Sequence, residues 1–277
     1  MYGAILGDMI GSPYECDLSG KTKDFPLFIP GSRFTDDTVM TVAVAEALMD
    51  TLGKGEEEIL RALTESMQRW GRRYPDAGYG GRFIQWLSAP DPKPYHSWGN
   101  GSAMRVSSAG WLFDTLEETR RAAARTARVT HDHPEGIKGA EAAASAVFLA
   151  RTGAGKGEIR DYIARQFGYD LSRTCDEIRP GYKFDVSCQG SCPQAIEAFL
   201  EGGSFEDVIL KAISIGGDSD TIAAMAGGIA EAYYGIPEAI ADQAIELLND
   251  NNYGSLVTVV KDFRLWTGSC PAGQTEN

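Results

Sequence analysis

Apolar positions recur at helical intervals along most of the chain. Thr38 to Asp50 (TVMTVAVAEALMD) is a run of apolar helix positions closed by Gly53. From Glu56 to Tyr74 the residues Ile59, Leu60, Leu63, Met67 and Trp70 keep close to i, i+3, i+4 spacing. Glu117 to Val129 and Glu135 to Arg151 are alanine-rich and end near Thr130 and Gly153. Pro193 to Leu200 opens with proline at a first helical position and stops at Gly202 and Gly203. Phe205 to Ile213, Thr221 to Tyr234, Pro237 to Leu248 and Gly254 to Trp266 follow the same logic. Apolar runs that alternate as strands do are absent, as is any β–α–β rhythm. Cys16 to Phe34, Ala89 to Gly101 and Asp170 to Cys192 are rich in Gly, Pro, Ser and Asp and read as loops. The pattern predicts an all-α fold, a single globular domain of about a dozen helices over residues 1–267, with the polar tail at 268–277 expected to be disordered. A functional site is expected on the long loops.

Composition narrows the class. With 43% hydrophobic and 23% charged residues, the chain of 277 has the make-up of a globular protein with ample core. The formal net charge of −13 opposes general nucleic-acid binding, and a phosphate-bearing ligand would need local help from backbone N–H groups, metal ions or placed cations. Met1 to Gly11 is apolar but short and carries Asp8, so it does not read as a signal peptide. No apolar stretch has the ~18 residues of a membrane span. The five cysteines (Cys16, Cys175, Cys188, Cys192 and Cys270) are odd in number and irregularly spaced, which fits reduced thiols and a cytoplasmic setting better than a disulfide framework. Cys188 and Cys192 lack an evident fourth ligand, so zinc is a weak reading.

Two short acidic segments carry the strongest chemical signal. Thr35-Asp36-Asp37-Thr38 and Asp218-Ser219-Asp220-Thr221 each stand directly before a helix, the second after Gly216-Gly217. Capping is the plain explanation for such residues in a first turn. One cap needs one side chain, however, and two carboxylates plus two hydroxyls exceed that need. Oxygen donors without nearby His or Cys suit Mg²⁺, Mn²⁺ or Ca²⁺. If the segments met, like charges about 4 Å apart would cost roughly 1 to 4 kcal/mol per pair, a cost that bound cations remove.

Other segments are weaker alone. Gly3, Gly7 and Gly11 form a small-residue stripe at i, i+4, i+8 that allows close helix packing, and Glu15 follows it as a loop carboxylate. Ser97-Trp98-Gly99-Asn100-Gly101 leads into a helix and offers N–H groups to a phosphate, though a simple turn is the commoner explanation of such a loop. Thr130-His131-Asp132-His133-Pro134 clusters two of the chain's three histidines between helices.

Taken in order, GAILGDMIGSPYE, FTDDT, GYGGRF, SWGNGSAMR, THDHPEGIKGA and GGDSDTIAAMAGGIAEAYYG resemble the ADP-ribosylglycohydrolase family, from residue 3 to about 235. The resemblance implies an all-α fold with a cleft holding two Mg²⁺ (or Mn²⁺). It implies Thr35, Asp36, Asp37, Asp218, Asp220 and Thr221 as metal ligands, with Glu15 beside them. It places the diphosphate of ADP-ribose on Ser97 to Gly101, with Trp98 near the ligand, His131 near the ADP-ribose and Tyr79 as a weaker contact. It gives no role to Asp8 or His133. The implied reaction is hydrolysis of the glycosidic bond between ADP-ribose and an arginine or serine side chain, or a small-molecule substrate. A water activated by Glu15, Asp36 or Asp218 attacks the anomeric carbon. The alternatives are hydrolysis of a free acetylated or phosphorylated ADP-ribose, and a non-catalytic, crystallin-like relative. The latter would be marked by loss of the acidic residues, all of which are present here.

Overall fold

The computed structural model describes residues 1–15, 22–249 and 254–268. Its helices are α1 (Tyr2–Gly11), α2 (Asp36–Asp50), α3 (Glu56–Arg73), α4 (Gly81–Ser88), α5 (Gly101–Met104), α6 (Ala109–Leu112), α7 (Leu116–Arg128), α8 (Pro134–Arg151), α9 (Lys156–Phe167), α10 (Cys175–Ile178), α11 (Cys188–Glu201), α12 (Phe205–Ile215), α13 (Ser219–Tyr234), α14 (Glu238–Asn249) and α15 (Gly254–Thr267). Among the described residues no strand forms, and a single antiparallel bridge ties Gly99 to Ser187. The all-α expectation therefore holds. Residues 269–277 of the expected tail lie outside the described residues, as do 16–21 of the first expected loop, with Cys16 and Cys270.

The centre of the molecule is α13, buried from Ser219 to Glu231 and packed by α1, α8, α11 and α12. Helix α1 is apolar all round apart from Asp8, and every one of its residues is buried, as such a helix must be. Its glycine stripe is what lets it lie on α13. A Cβ at Gly3 would stand 2.2 Å from Gly227 O, at Gly7 2.0 Å from Ala223 O, and at Gly11 2.5 Å from the Asp220 Cα. No side chain fits in those spaces, so the two backbones touch along the whole of α1. That contact brings residue 8 and the start of α13 into one neighbourhood.

Three differences from the sequence pattern have physical causes. Helix α11 begins at Cys188, five residues before Pro193, because Ser187 caps it by accepting from Gly190 N–H. Cys188 and Cys192, one turn apart, bury their sulfurs where a Cβ on Gly139 of α8 would otherwise go. Helix α9 carries Ile159, Ile163 and Phe167 at i, i+4, i+8, but its many intervening charges hide that narrow stripe. Helix α4 begins right after glycines, which mask a start. No helix of the described residues is long and apolar enough to cross a membrane.

Candidate active site

The loops and helix starts converge on a cavity of about 470 Å³. One wall is acidic and comes from Glu15, the start of α2 and the start of α13, with Asp8 of α1 joined to its carboxylates without lining the cavity. Asp8 of α1 is fully buried and accepts from Thr35 N–H at 2.9 Å, Thr35 Oγ1 at 2.7 Å, Thr38 N–H at 3.1 Å and Thr38 Oγ1. It thus closes the N-terminal turn of α2 from outside that helix. Thr35 caps the same turn, accepting from Asp37 N–H. The Asp36 N–H is held by Ala77 O at 2.9 Å, and Gly78, with φ +109°, lets the backbone pass beside the Asp36 carboxylate.

The start of α13 is arranged otherwise. Asp218 sits at the cap position but makes no side-chain cap bond. Its carboxylate accepts instead from Asn100 Nδ2 at 2.6 Å, across 118 residues. Thr221 Oγ1 donates to Asp37 Oδ2 at 3.1 Å, joining the two acidic segments directly. Oxygens of Asp8, Asp37 and Asp220 lie within 4.8 Å of one another, as do those of Glu15, Asp218 and Asp220.

Such packing is costly without counter-charge. Burial first, then the neighbouring carboxylates, pushes Asp36 up to about 7 and holds Asp37 and Asp220 well above the usual carboxylate range. Asp8 and Asp218 are raised by burial against the bonds they accept. Glu15, an exposed residue at the rim, is raised by burial of its carboxyl group and by Asp218, with Arg33 opposing. Asp37 Oδ1 is buried with no hydrogen-bond partner. An orphaned carboxylate oxygen between other carboxylates, with no His or Cys among the donors, fits a hard divalent cation. The threonines fit as well. Thr35 and Thr221 turn their hydroxyl protons inward, to Asp8 and Asp37.

The opposite wall is the loop before α5. Ser97, Gly99, Asn100 and Gly101 line the cavity with His131. The two expected loops hold each other here: Asn100 N–H donates to Val186 O and Cys188 N–H to Trp98 O. Two residues named from the sequence stand outside this wall. Tyr79 turns its ring towards Phe83, 5.6 Å away, and its hydroxyl is buried without a partner. Trp98 is 50% exposed and meets His133 edge-on at 5.6 Å.

Sequence reasoning missed several residues in or beside the cavity. Asp8 was detectable as a lone carboxylate in an apolar helix. Arg105 was detectable as a lone cation in an apolar stretch, and it is 1% exposed. Arg33, Tyr95 and Val186 also line the cavity with nothing in their local sequence to mark them, as does Arg82 of the GYGGRF motif.

Comparison with known proteins agrees with this architecture. Residues 1–270 match the family model described as ADP-ribosylglycohydrolase. The chain is 27% identical to ADP-ribosylhydrolase ARH3 of Homo sapiens, over 85% of the chain and 84% of that protein. It is 25% identical to ADP-ribosylarginine hydrolase Tri1 of Pseudomonas putida (strain GB-1), over 85% of the chain and 70% of that protein. A solved structure described as an ADP-ribosylglycohydrolase-related protein complex shares the fold, with TM-score 0.64, 23% identity, and coverage of 96% of this chain and 97% of that one.

Proposed function

The chain belongs to the ADP-ribosylglycohydrolase family and is a hydrolase, and on that premise we propose that its cavity releases ADP-ribose from a modified protein side chain with the help of two divalent cations, Mg²⁺ or Mn²⁺. The observation that carries this is the pair of overlapping carboxylate groups, Asp8/Asp37/Asp220 and Glu15/Asp218/Asp220, whose members other than Asp8 line one cavity with the Ser97 to Gly101 loop.

Thr35, Asp36, Asp37, Asp218, Asp220 and Thr221 are the residues that would hold the cations. When bound, the cations supply positive charge that neutralises these carboxylates and polarises ribose hydroxyls. The loop before α5 binds the diphosphate. With the diphosphate there and the distal ribose at the acidic wall, the glycosidic bond comes to lie beside Glu15. Water adds to the anomeric carbon as the bond to the side-chain atom breaks, through an oxocarbenium-like transition state. Glu15 takes a proton from the water and returns one to the leaving group, because it is the exposed carboxylate of its group and can exchange with solvent. Asp218 is held by Asn100, and Asp36 sits over the Ala77–Gly78 backbone, so both serve better as fixed ligands.

The test is release of free ADP-ribose from arginine-linked and serine-linked peptides, each with Mg²⁺ and with EDTA. Release from one peptide that EDTA abolishes is the expected result. Release unaffected by EDTA would remove the metal from the reading. No release from either peptide, with ADP-ribose still bound in calorimetry, would move the assignment to a free ADP-ribose derivative.

A further inference from the structure

His131 lies at the end of α7 with its ring 5% exposed. Its two ring nitrogens face different surroundings. Nδ1 is 2.6 Å from Thr130 Oγ1. Nε2 points at the anion loop: a Cβ at Gly99 or Gly101 would come within 3.4 and 3.3 Å of it. Which nitrogen carries the proton decides whether the loop sees a donor or a lone pair.

The Thr130 hydroxyl settles that choice. It already accepts from Arg105, whose guanidinium donates to Thr130 Oγ1 at 2.7 Å and to Thr126 O at 3.0 Å. A hydroxyl has one proton to give. Its alternative acceptor is Ala127 O at 3.5 Å, at the limit of a hydrogen bond, whereas His131 Nδ1 is at 2.6 Å. A cation donating into the oxygen also strengthens the hydroxyl as a donor. The proton therefore goes to Nδ1, and the neutral imidazole must carry its own hydrogen on Nε2. Burial, with Arg105 and Arg82 nearby, keeps His131 neutral by holding it well below the usual imidazole range.

We infer that Arg105 and Thr130 are positioning residues that lock His131 as a neutral Nε2–H donor aimed into the Ser97 to Gly101 loop, where it binds an anionic oxygen of the ligand. The need for such a donor is visible in the loop itself. Gly99 N–H is spent on Ser97 Oγ at 3.1 Å and Asn100 N–H on Val186 O at 2.8 Å, so two of the backbone donors expected to meet a phosphate are already taken. A donor that stays uncharged also spares the site a second buried cation beside Arg105. The identity of the anionic oxygen rests on the reading that the loop takes the diphosphate; the tautomer does not.

Nitrogen-15 NMR of the full chain at neutral pH, without ligand, reads the tautomer directly. The expected spectrum shows His131 with a protonated Nε2 and a bare Nδ1. A protonated Nδ1, or an imidazolium, overturns the inference. Titration with ADP-ribose in Mg²⁺ tests the consequence. Thr130→Val should weaken binding about tenfold, the worth of one hydrogen bond to a charged group, and Thr130→Ser should restore it to within about threefold. Equal binding by the valine variant would overturn the role, as would a serine variant as weak as valine. If the valine variant does not fold, the wild-type tautomer and the serine variant still decide. A correct tautomer with no ADP-ribose binding by the wild type would sink the proposed ligand and the role in binding it, and leave the tautomer standing.

Discussion

The two acidic helix starts look alike in sequence and are satisfied in opposite ways. At Thr35 to Thr38 the local demands of a helix start are met: Thr35 caps, and Asp8 takes the Thr35 and Thr38 N–H groups. At Asp218 to Thr221 the cap residue leaves its own helix uncapped and accepts from Asn100 instead. The plain capping explanation is thus right for the first segment and wrong for the second. The carboxylates left over after capping are the informative ones. Asp37 and Asp218 face the cavity without capping their own helices, and Asp220 faces it while also accepting from Thr221 N–H at 2.9 Å.

The sharpest way to break the comparison is Asp37→Asn. It removes a leftover carboxylate, and kcat/KM for ADP-ribose release should fall about a thousandfold, roughly 4 kcal/mol of transition-state stabilisation. Its effect on stability should run the other way. Without divalent cations the variant should melt a few degrees above wild type, because it relieves like-charge repulsion of about 3 kcal/mol per pair at ~5 Å. Wild type should gain stability on adding Mg²⁺, and the variant should gain less. A lower melting temperature in EDTA would sink the view of Asp37 as a leftover charge.

Gly7→Ala attacks the contact that brings the two starts together. Its Cβ would stand 2.0 Å from Ala223 O, which is backbone and cannot swing aside. Destabilisation of about 3 kcal/mol is expected in chemical denaturation, at the upper end for overpacking. A loss under 1 kcal/mol would show that α1 can slide on α13.

Asp8→Asn separates clamp from charge. Asparagine offers one acceptor oxygen where Asp8 uses both, so about 2 kcal/mol should be lost. This holds with or without cations, opposite in sign to Asp37→Asn in EDTA. Equal signs would mean that Asp8 belongs with the leftover carboxylates.

The smallest effect should come from Asn100→Ala, which frees Asp218 Oδ2 from its partner. A fall of about tenfold in kcat/KM, with melting temperature within a few degrees of wild type, would mark a positioning bond. An unchanged kcat/KM would show that the Asn100 bond does not set where Asp218 points.

Helical periodicity made α2, α3, α7, α8, α12 and α13 legible, because those stripes are wide and their ends carry caps or glycines. The glycine stripe of α1 was legible as a packing face. The acidic segments were legible as excess over capping, because counting donors against carboxylates needs only local chemistry. Helices α4 and α9 and the early start of α11 were hidden by glycine, by charge and by a proline inside the helix.

The family, the all-α class and the residues of the acidic wall were determined by sequence alone, through motifs whose order survives without coordinates. Only the tertiary structure decided that Thr221 reaches Asp37 across 184 residues, that Asp8 serves α2 rather than its own helix, and that Tyr79 and Trp98 stand outside the cavity wall. The reason is physical. Propensity and pattern act within a few residues along the chain. Which leftover polar groups meet depends on where backbones can touch, and here a row of absent side chains on α1 sets that distance.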